Sequence, residues 1–312
     1  MFEHVAETAY DENFTREKIT PIIAAVYAHT SEELMACLGN YFDDTLTLYK
    51  QYTVPCLGLF NDTCYAYIAI AQSEKLIFLS FRGSSVTEYL FENVNHITFA
   101  KKPWPLGGSI LTYWYDSFFA LWGSGLSDDL KSLLPTYQEQ GFKLWVTGHS
   151  LGGVLAALNA QYIIAEGLYP ETLVKYISFG ECRIGDQIFA KQFDEMVPYK
   201  YRVINHRDPM THQPYRLPTE SGNTSFWHHH YEVWYPVQMC PGFNYTICHR
   251  AEDPNCSDSA SANIDPTARD HFYYFGVSLT QWYTSGCNAS EICQGYGYLQ
   301  YLKDLAIYAV DP

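Results

Sequence analysis

The sequence predicts an α/β fold, a mostly parallel central sheet with helices on both faces. Short β-prone runs alternate with helical stretches through the middle of the chain, which is the pattern of strand–helix–strand crossovers. The chain has 312 residues, 47% of them hydrophobic and 17% charged, enough for one large domain with a substantial buried core. No internal repeat, low-complexity tract or interdomain linker divides it, and the one shift in composition is an enrichment in Cys, Asn and Ser after Met239. A single domain over 1–312 is expected, with its core at about 10–280 and a Cys-containing extension at about 281–312.

Residues 14–28 and 31–42 read as helices. Phe14, Ile19, Ile22, Ile23, Val26 and Tyr27 recur at helical spacing, and Ser31 with Glu33 or Leu34 suggests a capped start to the second. The run CYAYIAIA (64–71), a short polar turn containing SEK, and LIFLSF (76–81) read as a hairpin. Further strands are expected at 143–147, 174–179, 199–204 and 230–235, with helices at 112–122, 127–140, 151–166 and 186–196.

Lys and Arg total 19 against 34 Asp and Glu, a net charge of −15. Such a chain lacks the basic stripe that phosphate backbones require and is repelled by anionic surfaces, so nucleic acid is a poor partner and a neutral substrate fits better. The longest stretch without a charged residue, Leu144 to Ala165, is long enough to be mistaken for a membrane span of about 20 residues. It contains Gly148, His149, Ser150, Gly152, Gly153, Asn159 and Gln161 and passes from β-prone to helix-forming, so no transmembrane segment is expected. A signal peptide would be basic and then apolar, whereas the first residues include Glu3, Glu7, Asp11 and Glu12; the expectation is that either Met1 is near a mature start or a signal peptide is missing from the sequence.

Nine cysteines include three close pairs, Cys56/Cys64, Cys248/Cys256 and Cys287/Cys293, each able to clip a short loop in an oxidising compartment. Cys-x-x-Cys spacing is missing from the sequence, so zinc, or any other metal, is not expected. One cysteine is left over from any set of intramolecular pairs. Six of twelve asparagines begin a glycosylation sequon (Asn13, Asn61, Asn223, Asn244, Asn255 and Asn288), where chance would give roughly two. Together these features indicate a secreted protein.

The most informative segment is KLWVT-GHSLGG-VLAALNAQYIIAEG: a buried-strand pattern, the pentapeptide Gly148-His149-Ser150-Leu151-Gly152, then a small-residue helix ending near Gly167. Strand, Gly-x-Ser-x-Gly and helix in that order form a nucleophile elbow. A serine hydroxyl needs a base within hydrogen-bond reach and a carboxylate to orient that base. In this architecture the acid and then the histidine follow the serine in the chain. Asp208, in VINHRDP just past an expected strand, suits the acid, whereas Asp186 and Asp194 fall in an expected surface helix. Of the later histidines His271, in RDHFYYFG after a loop-like stretch, is favoured as base; His228 to His230 abut a strand and should alternate between core and solvent. A zinc site from His206 and His212 would lack an acidic helix motif. The amide of Leu151 would supply one oxyanion donor, and FLSFRGSS places Gly83 and Ser84 at an early strand end to supply the other.

FRGSS, GHSLGG, FG-x-x-R-x-G (179–185), the RD-P around Asp208 and DHFYYFG around His271 occur in the order of the class 3 lipase family, which the chain resembles from about Tyr10 to Phe275. YEVWYP and CSD look most like its secreted nematode branch, with fungal triacylglycerol lipases as more distant relatives. The resemblance implies an α/β-hydrolase fold with a short lid helix. It implies Ser150 as nucleophile, Asp208 as orienting acid, His271 as general base, and Ser84 with Leu151 as oxyanion hole. The family's lid maps onto Val86–Val94, an amphipathic stretch in which Tyr89, Leu90 and Phe91 stand near the place of the fungal lid tryptophan. Cys182 stands where the family usually has Pro and is a candidate for the unpaired, buried thiol. The resemblance also suggests disulfides Cys56–Cys64 and Cys248–Cys256 and a long bridge from Cys37 to the C-terminal region at Cys287. The function it implies is a secreted serine hydrolase, without a cofactor, cleaving carboxylic esters of lipids through a Ser-His-Asp triad and an acyl-enzyme, foremost a triacylglycerol lipase meeting acylglycerol or other lipid esters at a transient lipid–water interface. The alternatives are a phospholipase, a soluble-ester esterase or a non-catalytic lipid-binding protein.

Overall fold

The computed structural model describes residues 9–56, 63–84, 100–216, 225–237, 239–265 and 268–288. The expected lid with Val86, Tyr89, Leu90 and Phe91, the sequon residues Asn61 and Asn223, and most of the C-terminal extension lie outside them. The strands are β1 (Leu46–Pro55), β2 (Thr63–Ala71), β3 (Leu76–Phe81), β4 (Lys101–Pro103), β5 (Ser109–Leu111), β6 (Lys143–His149), β7 (Val174–Phe179), β8 (Gly185–Asp186), β9 (Tyr199–Asn205), β10 (Phe226–Trp227), β11 (Glu232–Tyr235), β12 (Thr246–Cys248), β13 (Tyr273–Tyr274) and β14 (Val277–Ser278), the last two paired with each other. Eight of them form one sheet in the order β1-β2-β3-β6-β7-β9-β11-β12, while β10, β8, β5 and β4 pair in a small second sheet. From β3 through β6, β7 and β9 to β11 every pairing of the main sheet is parallel, with antiparallel strands at both edges.

Helices cover both faces, as a parallel sheet requires. The first helical run passes from Glu12–Phe14 through the π-helical Thr15–Ile19 to Thr20–Ala25, and together these are α1. The others are α2 (Ser31–Leu38), α3 (Thr112–Leu121), α4 (Ser127–Glu139), α5 (Leu151–Ala165), α6 (Gln187–Met196) and the short α7 (Arg269–Phe272), which carries His271. Alternate strand residues feed two cores. Ile68, Ile77, Leu144 and Val146 pack with Phe118, Leu130, Val154 and Phe193 on one side. Tyr67, Phe78, Trp145 and Ile177 pack with Ile22, Ile23 and Leu34 on the other. α5 is buried around almost its whole circumference, which is why its sequence is apolar and small instead of amphipathic.

The expected hairpin and the strands at 143–147, 174–179 and 199–204 coincide with β2–β3, β6, β7 and β9 to within two residues. The differences are local. α1 ends at Ala25 and α2 at Leu38, short of 28 and 42. The cap of α2 is Thr30, whose side chain accepts from the Glu33 amide while Glu33 reaches back to the Thr30 amide, so Ser31 is already helical. The strand expected from 230 begins at Glu232. β1 is not anticipated by the sequence: its mostly exposed or half-exposed side chains and a register shift between Leu48 and Lys50 break the two-residue period.

Disulfides join Cys37 to Cys287, Cys56 to Cys64 and Cys248 to Cys256. The pairing of Cys287 with Cys293 suggested by close spacing is thereby replaced by a bridge across 250 residues, because the fold lays the Cys287 segment against α2. Cys240 is also disulfide-bonded, and Cys182 is a buried free thiol. Among the described residues no helix is long and apolar enough to cross a membrane; the uncharged stretch from Leu144 is split by the bend at Ser150 into β6 and α5.

Candidate active site

Ser150 is the bend between β6 and α5. Its backbone lies at φ 60° and ψ −127°, a region that a side-chain-bearing residue occupies only when its surroundings hold it there. They do so through hydrogen bonds: the Ser150 amide donates to the Phe179 carbonyl at 2.9 Å, and its own carbonyl accepts from Gly153 at 2.9 Å and Val154 at 3.3 Å. Sterically the bend closes on β3. A Cβ at Gly148 would collide with the Gly152 carbonyl, and one at Gly152 with the Phe81 carbonyl, so both flanking positions must be glycine. The Ser150 side chain is fully buried and its Oγ has no hydrogen-bond partner among the described residues.

Adjacent parallel strands end at one edge of the sheet, so the loops that follow β3, β6, β7 and β9 gather there. After β9 the chain turns at Asn205, and Asp208 becomes a fully buried carboxylate. It accepts from the Met210 amide at 2.9 Å, from the Tyr274 hydroxyl at 2.6 Å and, on both oxygens, from Nδ1 of His271 at 3.0 Å. Burial pushes its pKa up, but the His271 imidazole and the Tyr274 and Met210 donors outweigh that and hold it below the usual carboxylate range. A carboxylate only accepts, so Nδ1 of His271 carries the hydrogen and Nε2 is left with its lone pair. That Nε2 is buried and, like Ser150 Oγ, without a partner among the described residues. The two atoms are thus not hydrogen-bonded to each other.

The ring of His271 is flanked by two further groups. A Cβ at Gly180, just past β7, would lie 2.7 Å from Asp208 Oδ2 and 3.0 Å from both Nδ1 and Cε1 of His271. On the other side His149 lies with its ring centroid 4.5 Å from that of His271. Across the bend, Gly83 runs so close that an added Cβ would be 3.1 Å from Ser150 Cβ, and Ser84, which follows it, is buried. Leu151 is the first residue of α5, so its amide belongs to that helix's N-terminal turn.

The other candidate groups lie elsewhere. His206 bonds Asp270 at 3.0 Å, His228 Glu252 at 3.0 Å and His229 Glu181 at 3.0 Å. His228 and His229 are both buried and His230 half-buried, so the expected alternation fails because these residues precede β11 instead of belonging to it. Glu232, Cys248 and Cys256 stand close enough together to suggest a metal site, but the two sulfurs form a disulfide and offer no thiolate. Burial raises the Cys182 thiol's pKa far above its usual value, which makes it unreactive. Of the sequon residues described, Asn13, Asn244, Asn255 and Asn288 are all exposed. Sequence reasoning missed Tyr274 and Tyr27 as partners of the site; the one signal for the first was its place inside the DHFYYFG motif.

Residues 78–217, which include Ser84, Ser150 and Asp208, match the family model described as "Lipase (class 3)". A lipase of Caenorhabditis elegans is 29% identical over 314 aligned positions, covering 93% of this chain and 86% of the relative. A lipase of Rhizomucor miehei is 30% identical over 224 positions, covering 68% of this chain and 55% of that protein. The solved structure of a triacylglyceride lipase from Rhizomucor miehei superposes with a TM-score of 0.67 at 24% identity, over 87% of this chain and 97% of the other, and shows the shared α/β-hydrolase fold. Motif order, topology and sequence similarity agree: the chain belongs to the class 3 lipase family and is a carboxylic ester hydrolase.

Proposed function

We propose that the protein is a secreted acylglycerol lipase in which Ser150, His271 and Asp208 form the catalytic triad. Ser150 Oγ attacks the ester carbonyl as its proton passes to Nε2 of His271, and Asp208 stabilises the imidazolium that forms. The Leu151 amide and Ser84 receive the negative charge on the tetrahedral oxygen. His271 then protonates the departing alcohol, and water, deprotonated by the same nitrogen, releases the acid from Ser150. The observation that supports this reading is the buried Nε2 of His271, without a partner among the described residues while Asp208 holds Nδ1, together with the strained bend at Ser150, whose neighbour His149 bonds the His271 carbonyl.

Exposed sequons and three disulfides support secretion. The net charge of −15 disfavours anionic phospholipid surfaces and points to neutral esters. Ser150→Ala should lower turnover of a short-chain nitrophenyl ester by several orders of magnitude and abolish labelling by a fluorophosphonate. Full activity in that variant would overturn the assignment. Triolein and tributyrin should be cleaved faster than micellar phosphatidylcholine; the reverse order would make the enzyme a phospholipase.

A further inference from the structure

We propose that His149, the residue before the serine, and the phenol of Tyr27 form a positioning pair that fixes the main chain of His271 and so the aim of its Nε2. The inference rests on reading His271 as the general base. Nε2 of His149 lies 2.7 Å from the His271 carbonyl oxygen. A carbonyl only accepts, so this nitrogen carries the hydrogen. In a neutral imidazole Nδ1 then holds a lone pair, and that lone pair meets the Tyr27 hydroxyl at 2.7 Å. The His271 carbonyl thus selects the tautomer, and the Tyr27 hydroxyl, donating to Nδ1, holds the ring in that orientation. With the hydrogen on Nδ1, a lone pair would face the His271 carbonyl and push it away.

Three further observations support the pair. His271 is held at two points, its ring by Asp208 through Nδ1 and its backbone by His149 through the carbonyl, so both position and rotation of the ring are fixed. The two imidazoles lie 4.5 Å apart, and a second positive charge there would oppose proton uptake by His271. Burial, and then His271 itself, push the pKa of His149 down to about 3, so it stays neutral while its neighbour is protonated. Tyr27 also backs the loop after β3: a Cβ at Gly83 would lie 2.6 Å from its hydroxyl and 2.8 Å from the His149 carbonyl. The variable second position of Gly-His-Ser-Leu-Gly is in this chain a part of the base's support.

The test compares Tyr27→Phe, His149→Phe, the double variant and His149→Gln in the full chain on a soluble nitrophenyl ester, counting active sites by end-point titration with diethyl nitrophenyl phosphate. We expect kcat per titrated site to fall about tenfold in Tyr27→Phe and about a hundredfold in His149→Phe, with KM within about twofold of wild type. The double variant should be no slower than His149→Phe, because Tyr27 acts through His149. His149→Gln, which keeps an amide donor at that reach, should retain more activity than His149→Phe. A merely structural role would instead lower the number of titratable sites and leave kcat per site unchanged, and that result overturns the proposal. So would losses that multiply in the double variant. If His149→Phe does not fold, Tyr27→Phe with wild-type kcat per site is by itself sufficient to reject it. Ser150→Ala separates the two levels: activity surviving there sinks the triad, whereas activity lost there but intact in Tyr27→Phe sinks only the pair.

Discussion

At Gly180 one added methyl group would strike two members of the proposed triad. The residue sits at φ +58°, and the hypothetical Cβ points at Asp208 Oδ2 and the His271 ring. Alanine in the left-handed region costs about 1–2 kcal/mol. The larger effect falls on geometry, since displacing the ring by about 1 Å is worth about a hundredfold in rate. Gly180→Ala is therefore expected to lose activity by about that factor while remaining folded by circular dichroism; an active variant would mean that the ring has more room than this contact allows. Tyr274 is the other dependence at this scale. Tyr274→Phe removes the 2.6 Å donor from Asp208 Oδ2 and leaves a buried carboxylate with one fewer partner. A fall of about tenfold in kcat/KM is expected from steady-state kinetics, with the Asp208 pKa moving upward. Neither tyrosine partner stands out in a chain with 27 tyrosines, because hydrogen bonding across 66 or 122 positions leaves no local pattern. The proposed triad was suggested by local signals, glycine spacing for Ser150, a strand end for Asp208 and a late loop with the DHFYYFG motif for His271.

Among the elements, the strand–bend–helix unit of β6 and α5 is the one whose sequence and geometry most tightly determine each other. Its glycines are set by backbone contact with β3 and by the bend itself, and its helix lacks charged residues because both flanks are buried. Gly152→Ala should accordingly destabilise the fold by about 3 kcal/mol, since the obstacle is the Phe81 carbonyl and backbone cannot swing aside as a side chain can. Urea denaturation would measure this, and a midpoint equal to wild type would show that β3 and α5 can separate. The long elements were legible because their periodicity reports which faces are buried. β1 was not: ten residues with a bulge and a mostly exposed or half-exposed burial pattern lack a steady two-residue alternation. The two- and three-residue strands of the small sheet are too short to carry any period.

For the molecule as a whole, buried neutral histidines make stability depend on pH. Burial, with Arg183 next, pushes His212 down to about 4, and burial, with Arg202 next, holds His228 well below its ordinary value, alongside His149 at about 3. Each has a lower pKa folded than unfolded, so the unfolded chain binds the extra proton. Their contribution is complete above the ordinary imidazole value of about 6.5 and declines as the pH falls below it, by about 1.4 kcal/mol per pH unit for each histidine fully protonated only in the unfolded chain. For His149 the decline continues to about pH 3 and for His212 to about pH 4. Glu252, held low in spite of burial by the Arg183 guanidinium and a hydrogen bond from His228, adds to the loss at still lower pH, while Glu232, raised by burial, works against it. Scanning calorimetry should show Tm falling between about pH 6 and 4; a constant Tm over that range would contradict the neutral burial of these rings. The Cys37–Cys287 bridge acts at the same scale, closing a loop of 250 residues and tying α2 to the end of the described chain.

By itself the amino-acid sequence determined the α/β class and the strand–bend–helix at Ser150, and it pointed to Asp208 and His271 as the acid and base proposed here, because these depend on short-range constraints: buried-strand runs, glycines where a side chain cannot fit, and polar residues in loops beyond the strands. It also marked Cys182 as a candidate for the odd thiol. Only the tertiary structure decided that Cys287 pairs with Cys37, that Tyr274 and Gly180 shape the Asp208–His271 contact, and that Tyr27 and His149 reach the main chain of His271. Those contacts join residues brought together by packing on both faces of one sheet, and no segment of the chain contains both partners.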